Sequence, residues 1–231
     1  MKLGLFVSLL LAATSTGALA QAGYGFDTAL VLTTADVDCL MDQQLDVAIF
    51  RAYHSYGAPD TNAPTNLATA YAAGIKQADV YLYPCVIQCP SGPSASEQFN
   101  DMISMLTTAG ATWSNIWFDI EDTLPDGGVY WSNTNVTANQ VFYQELVSTC
   151  AASGYKCGVY SNSNFWTLIF GSISYNTPDG VGASNPLWYV GYTGNEASYL
   201  SYIQFGQWIT PSMKQFNGTA YICGFEIDLD W

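Results

Sequence analysis

The chain has 231 residues, 49% of them hydrophobic and only 10% charged, with 19 acidic residues against five Lys and Arg and a formal net charge of −14. Nothing in that balance could neutralise phosphates, which excludes nucleic acid as a partner, and the surplus of negative charge repels anionic membranes and cell surfaces at neutral pH. An acidic working compartment would relieve the repulsion by protonating carboxylates; otherwise the charge serves only solubility.

The chain opens on MKLGLFVSLLLAATSTGALA, which has one Lys, a short apolar stretch and a small-residue end. This reads as a secretory signal peptide over residues 1–20, cut after Ala20 or Ala22, and its apolar core is too short to span a bilayer. No later stretch is long and apolar enough to cross a membrane. The remaining residues, 21–231, have the size of one domain with a substantial core.

Short apolar runs predict strands at Tyr24–Asp27, Val47–Tyr53, Asp79–Val86, Ser114–Glu121 and Lys156–Ser161. Helical patterns lie between them. TADVDCLMDQQL and TNLATAYAAGIKQ are the shorter ones. SASEQFNDMISMLTTAG carries a capping box of Ser94 and Glu97, apolar residues at helical spacing (Phe99, Met102, Ile103, Leu106) and Gly110 as a stop. TANQVFYQELVSTCAASG repeats the pattern, with Thr137 and Gln140 as its box and Gly154 as its stop. Strand followed by helix, five times over, predicts a parallel sheet. After about residue 171 the apolar runs recur at Pro186–Tyr192, Tyr202–Trp208 and Gly224–Asp230, with gaps too short for crossover helices. The expected fold is therefore α/β: a shortened TIM-like barrel of five βα units followed by three strands, in keeping with a length below the ~250 residues of a full (β/α)8 barrel.

Cys39, Cys85, Cys89, Cys150, Cys157 and Cys223 read as three disulfides in a secreted chain. Cys85–Cys89 and Cys150–Cys157 are the natural short pairs, leaving Cys39 with Cys223, although six cysteines allow fifteen connectivities. The spacings match no common zinc pattern, and His54 is the single histidine. No metal or other cofactor is expected.

The chemistry concentrates in IWFDIED, residues 116–122. Strand alternation puts Trp117, Asp119 and Glu121 on one face and Phe118 and Ile120 on the other. In a barrel of this kind the C-terminal strand ends carry the site. Asp27 ends the first strand, Arg51 and Tyr53 the second, and Glu226, Asp228 and Asp230 lie on the last, so a ring of carboxylates around one mouth is expected. Crowded carboxylates relieve their repulsion by raising the pKa of at least one member. A protonated acid beside an ionised one is what cleavage of a glycosidic bond requires. Phosphoryl transfer lacks a Gly-rich cradle with its Lys, and serine hydrolysis lacks a G-x-S-x-G partner for the histidine.

Other readings of the same residues stay open here. DIEDTLPDGG is an acidic loop, but Leu124 stands where an EF-hand needs Gly and Thr123 at a ligand position; Asp122 and Asp126 read as turn residues. Arg51, Tyr53, Trp117, Trp188, Tyr192, Gln207 and Asp230 are candidate sugar-binding residues around the mouth, with Phe205 and Trp208 near it, while aromatics also fill cores. His54 reads as an exposed loop residue. Asn135 and Asn217 are glycosylation sequons.

GFDTA (25–29), IWFDIED (116–122), LWYVGY (187–192) and GFEIDLDW (224–231) resemble, in this order, segments of glycoside hydrolase family 25, the Chalaropsis-type lysozymes, and the resemblance spans nearly the whole mature chain. It implies the same barrel and an N-acetylmuramidase that cuts the β-1,4 bond after N-acetylmuramic acid in bacterial peptidoglycan. It also implies Glu121 as general acid/base with Asp119 as its partner, and Asp27 and Asp228 as the acidic residues of the opening and closing strands. Arg51 stands where many members have Lys, and Asp230 where Asn is common; these departures bear on subsite detail and pH profile. A monomer acting outside the cell or in an acidic digestive compartment is expected. A non-catalytic carbohydrate-binding barrel and a chitinase-like hydrolase are the alternatives, the latter weakened by Ile116, Trp117 and Phe118 where further Asp residues would stand.

Overall fold

The computed structural model describes residues 23–87, 89–90, 92–121, 131–177, 184–192 and 198–231. Five units of strand and helix come first. They are β1 (Tyr24–Thr28) with α1 (Thr34–Asp42); β2 (Leu45–His54) and the two-residue β3 (Ala58–Pro59) with α2 (Ala63–Ala73); β4 (Gln77–Leu82) with α3 (Ala95–Thr108); β5 (Ile116–Asp119) with α4 (Val136–Ser153); and β6 (Cys157–Ser161) with α5 (Ser163–Phe170). Strands β7 (Leu187–Val190), β8 (Met213–Ile222) and β9 (Phe225–Asp230) follow without crossover helices. The sheet order is β1-β9-β8-β7-β6-β5-β4-β2-β3, and a parallel β1–β2 pairing closes the barrel. β9 runs antiparallel to both β8 and β1. The expected shortened TIM-like barrel is the fold observed.

Local sequence explains most element ends. Thr33 with Asp36, and Ser94 with Glu97, form capping boxes at α1 and α3. Gly154 and Gly171, both left-handed, terminate α4 and α5. Helix α4 does not use Thr137 and Gln140 as its box: Asn135 is the N-cap and accepts from the Ala138 N–H, because an Asx side chain two residues earlier reaches the free donors of the first turn.

The larger correction concerns the closing strands. Tyr202–Trp208 is not a strand but a tight loop, with Gly206 at positive φ and an isolated bridge between Phe205 and Trp208. Phe205 and Trp208 pack against Trp166 of α5 at 5.6 and 5.0 Å between ring centroids, in the core outside the barrel and away from its mouth. The strand that does follow is Met213–Ile222, whose run is broken in sequence by Lys, Gln, Asn, Gly and Thr and in register by two irregularities. Its hairpin to β9 turns through Cys223 and Gly224, both at positive φ, as a two-residue turn with right-handed strand twist requires.

The apolar residues sort into two layers. Phe50, Ala52, Phe118, Ile120 and Val159 face the helices, whereas Ile49, Trp117, Tyr160, Trp188 and Val190 fill the barrel. Gly158 is dictated by this filling: a Cβ there would lie 2.3 Å from the Trp117 ring, so only glycine lets the indole lie against β6. All three disulfides take the expected pairing, Cys39–Cys223, Cys85–Cys89 and Cys150–Cys157. Three buried amides then pin the connections: Asn66 bridges Leu30 and Leu32, Gln98 bridges Cys85 and Pro93, and Asn139 bridges Ser132 and Ile169. All three hold connections that follow strand C-termini, after β1, β4 and β5.

Candidate active site

The strand ends converge as the alternation predicts. A small cavity of about 80 Å³ opens at the C-terminal ends of the parallel strands, walled by the carboxyls of Asp27, Asp119, Glu121 and Asp228, with Tyr81, Tyr160, Trp188 and Gln215 between them. A second hollow of about 270 Å³ shares Asp27, Tyr81 and Asp228 and adds Leu30 and Glu226. A third, about 290 Å³, lies beside Tyr192 and Asn217. The first two meet at Asp27, Tyr81 and Asp228, and the third begins at Tyr192, whose hydroxyl bonds Gln215 in the wall of the first.

Gln215, from β8, organises the centre. Its amide oxygen accepts from the hydroxyls of Tyr160 (2.8 Å) and Tyr192 (2.6 Å), and its Nε2 donates to Asp27 Oδ2 (2.7 Å), with Asp228 Oδ2 at 3.5 Å. The amide thus holds two acids and two tyrosines in one network. Burial raises Asp27 to about 7, although the bonds from Gln215 and Asp230 pull it back. Burial also raises Asp228 to about 8, with repulsion from Asp27, Glu226 and Glu121 adding to it. Asp119 goes well above the ordinary carboxylate range, chiefly through burial and then through Glu121 and Asp27. Its Oδ1 is enclosed and has no donor among the described residues. The cluster is a proton store, since closely packed acids cannot all be ionised in a low dielectric.

Several residues expected at the mouth are elsewhere. Gln207 is exposed on the loop between Phe205 and Trp208 and lines none of the groove; Gln215 occupies the place expected of it. Tyr53 is fully buried on the helix side, because a register irregularity between Arg51 and Tyr53 breaks the alternation. Its phenol is pushed up to about 12 by burial, with Asp101 and Glu97 of α3 adding to the shift. Trp117 lies one layer below the cavity and donates to Asp79 Oδ2 (2.8 Å). Arg51 stands beside the mouth, its Nε held by Asp60 (2.9 Å), with His54 3.4 Å from the same carboxylate and stacked on Tyr56. His54 is therefore partly buried rather than a free loop residue, and burial lowers its pKa, opposed by Asp60. Trp188 lines the cavity wall, Tyr192 stands exposed at the rim, and Asp230 is buried behind Asp27. Asp122 and Asp126 lie outside the described residues, and so does the rest of the acidic loop weighed for calcium. Among the described residues no three His, Cys, Asp or Glu are grouped to hold a metal ion.

Tyr81 and Gln215 were missed by the reading of the sequence. Tyr81 was legible in principle: it shares a face with Asp79 two residues earlier, and period-two alternation aims it at the mouth. Gln215 sat in a segment that did not look like a strand.

A carboxylate-lined mouth on a truncated (β/α)8 barrel is the arrangement that glycoside hydrolases use, and the comparisons with known proteins assign the class. The lysozyme-like protein 1 family model matches residues 18–216. The probable GH family 25 lysozyme 2 of Dictyostelium discoideum is 33% identical over 98% of both chains. Among solved structures, the bacterial lysozyme from Streptomyces coelicolor superposes with a TM-score of 0.67 at 18% identity, covering 92% of each chain. The modular autolysin LytC from Streptococcus pneumoniae, in complex with a synthetic peptidoglycan ligand, superposes with a TM-score of 0.66 at 15% identity over 90% of this chain and 46% of that one. The chain belongs to the glycoside hydrolase family 25 lysozymes.

Proposed function

We propose that the protein is a secreted N-acetylmuramidase that hydrolyses the β-1,4 bond between N-acetylmuramic acid and N-acetylglucosamine in bacterial peptidoglycan, most active at acidic pH. In this reading residues 1–20 are a signal peptide, residues 21–231 are one catalytic domain working as a monomer, and its place is the extracellular space or an acidic digestive compartment. The three disulfides are compatible with such a route. Asn135 and Asn217 would carry glycans in a host that glycosylates secreted proteins.

One observation carries the reading. Asp119 Oδ1 is buried with no donor among the described residues, beside Glu121 in the wall of the cavity at the strand ends. A 2-acetamido sugar supplies the missing N–H. Its acetamido oxygen is then placed to attack the anomeric carbon, Asp119 stabilises the oxazolinium formed, and Glu121 protonates the leaving oxygen and later activates water. In the free protein, burial favours a proton on Asp119. A cation growing beside Asp119 favours its carboxylate, so one proton moves to Glu121 as the transition state forms. Tyr192, Trp188 and Arg51 line or flank the groove as sugar-binding candidates.

The test is solubilisation of purified peptidoglycan between about pH 3 and pH 8, with reducing-end analysis and NMR of the first product. New N-acetylmuramic acid reducing ends, a retained β configuration and an acid optimum are expected. Binding without new reducing ends would reduce the groove to a carbohydrate-binding site, and an inverted first product would remove the oxazolinium route.

A further inference from the structure

Asp230, the last residue of β9, is placed where a second ionised carboxylate should not survive. It is 1% exposed and pairs in register with Gly25 of β1 and Gln215 of β8. Its Oδ1 accepts from Trp188 Nε1 at 2.8 Å, while its Oδ2 is enclosed with no donor among the described residues. The Asp27 carboxyl lies within hydrogen-bonding reach of it. Two acceptor-only groups in contact repel, and a single proton between them converts the contact into a strong charge-assisted bond.

The surroundings decide which acid keeps that proton. Asp27 Oδ2 already accepts from the Gln215 amide, which can only donate there, and Asp27 borders the cavity. Asp230 is the deeper of the two. The titratable groups acting on it are Asp27 from β1 and Asp228 from its own strand, with Trp188 donating from β7. On β8 the neighbouring Lys214 turns its ammonium to the Ser198 carbonyl (2.9 Å). Every charge set against Asp230 is thus negative, and burial pushes its pKa further up.

We infer that Asp230 is a positioning residue that stays a neutral acid and donates its Oδ2 proton to Asp27 from behind, so that the Asp27 carboxyl faces the groove in a fixed orientation. The inference rests on the family 25 lysozyme reading only for the use made of Asp27; the buried proton itself does not depend on any substrate.

The deciding experiment is the melting temperature of the full chain and of Asp230→Asn across pH 4 to pH 9. Asn keeps the acceptor for Trp188 and offers Asp27 a donor that never dissociates. The two curves should run together near pH 4, where the unfolded Asp is still protonated, and separate above it, with the Asn variant gaining about 3 °C per pH unit for as long as native Asp230 keeps its proton. Parallel curves would overturn the proposal and leave Asp230 a plain acceptor for Trp188. If Asp230→Asn does not fold, the side-chain carboxyl 13C shift of Asp230 in the full chain reports instead: the value of a protonated acid at pH 6 is expected, and that of a carboxylate would overturn the proposal. On peptidoglycan, Asp230→Asn, which keeps a donor to Asp27, should retain kcat/KM within about threefold of the native chain, whereas Asp230→Ala should lose at least tenfold; equal losses in both would deny the role toward Asp27. The melting arm reports even if peptidoglycan is not the substrate.

Discussion

The barrel buries carboxylates at both ends and treats them in opposite ways. At the floor, Asp79 is fully enclosed and collects donors on both oxygens from Gln77 Nε2, the Asn115 N–H and Nδ2, and Trp117 Nε1, all between 2.8 and 3.2 Å. At the mouth, Asp119 and Asp230 each keep an enclosed oxygen with no donor among the described residues, and the charges acting on them are other acids. A satisfied buried acid is a structural joint, whereas a frustrated cluster is held against its own repulsion by the surrounding fold and is reactive for that reason. Tyr81 stands between the two regimes, on the same strand face as Asp79 and in the wall of the cavity.

Substitutions should separate the two ends cleanly. Glu121→Gln removes the exchangeable proton at the mouth and should lower kcat by about 10³-fold or more, with circular dichroism and melting temperature unchanged; a folded variant with normal turnover sinks the assignment. Asp79→Ala strands several buried donors at the floor and should cost about 3 kcal/mol, read as a fall in melting temperature of roughly 6–12 °C, while kcat/KM of the folded fraction changes little. A reversal of these two results would erase the contrast.

The pH dependence of stability sharpens it. Asp27 and Asp228 are raised from an ordinary 3.8 to about 7 and about 8. The fold therefore holds protons that the unfolded chain releases, a contribution fully present below about pH 3.8 and lost as pH climbs through 7 to 8. The melting temperature should decline over that window, and Asp228→Asn should shallow the decline; a curve rising toward alkaline pH would contradict the proton store. The smallest effect belongs to the rim. Tyr192→Phe removes one of two hydroxyls donated to Gln215 Oε1 and should lower kcat/KM by about threefold, seen mainly in KM if the ring still stacks on sugar.

The sequence was most legible where one period governs a segment. Trp117, Asp119 and Glu121 could be placed on the barrel face because β5 keeps strict alternation, and the capping box at Ser94 is a local pattern that needs no tertiary context. Legibility failed where a register defect intervened. One irregularity after Arg51 sends Tyr53 to the helix side, and the defects within β8 make its Asn-Gly-Thr run look like a loop, so that the sequence points to Gln207 where the fold places Gln215. Loss of alternation is a tertiary event, set by how a strand must bend to close the barrel, and short-range patterning does not carry it. The contact between Asp230 and Asp27 was likewise hidden, since the antiparallel β1–β9 seam joins the two ends of the chain.

That seam is also clasped covalently. Cys39, in the helix following β1, is bonded to Cys223, in the hairpin turn leading into β9, across 184 residues of sequence. A protease that nicks the backbone once anywhere between those cysteines does not release a fragment: both pieces stay tethered, and the ruptured barrel keeps its first and last strands side by side. For an enzyme whose proposed workplace is full of other hydrolases, a cut then becomes a scar instead of a death. A nicked molecule should migrate as one species on a gel until the sulfur bridge is reduced, and the severed pieces should keep each other's company long enough to go on working.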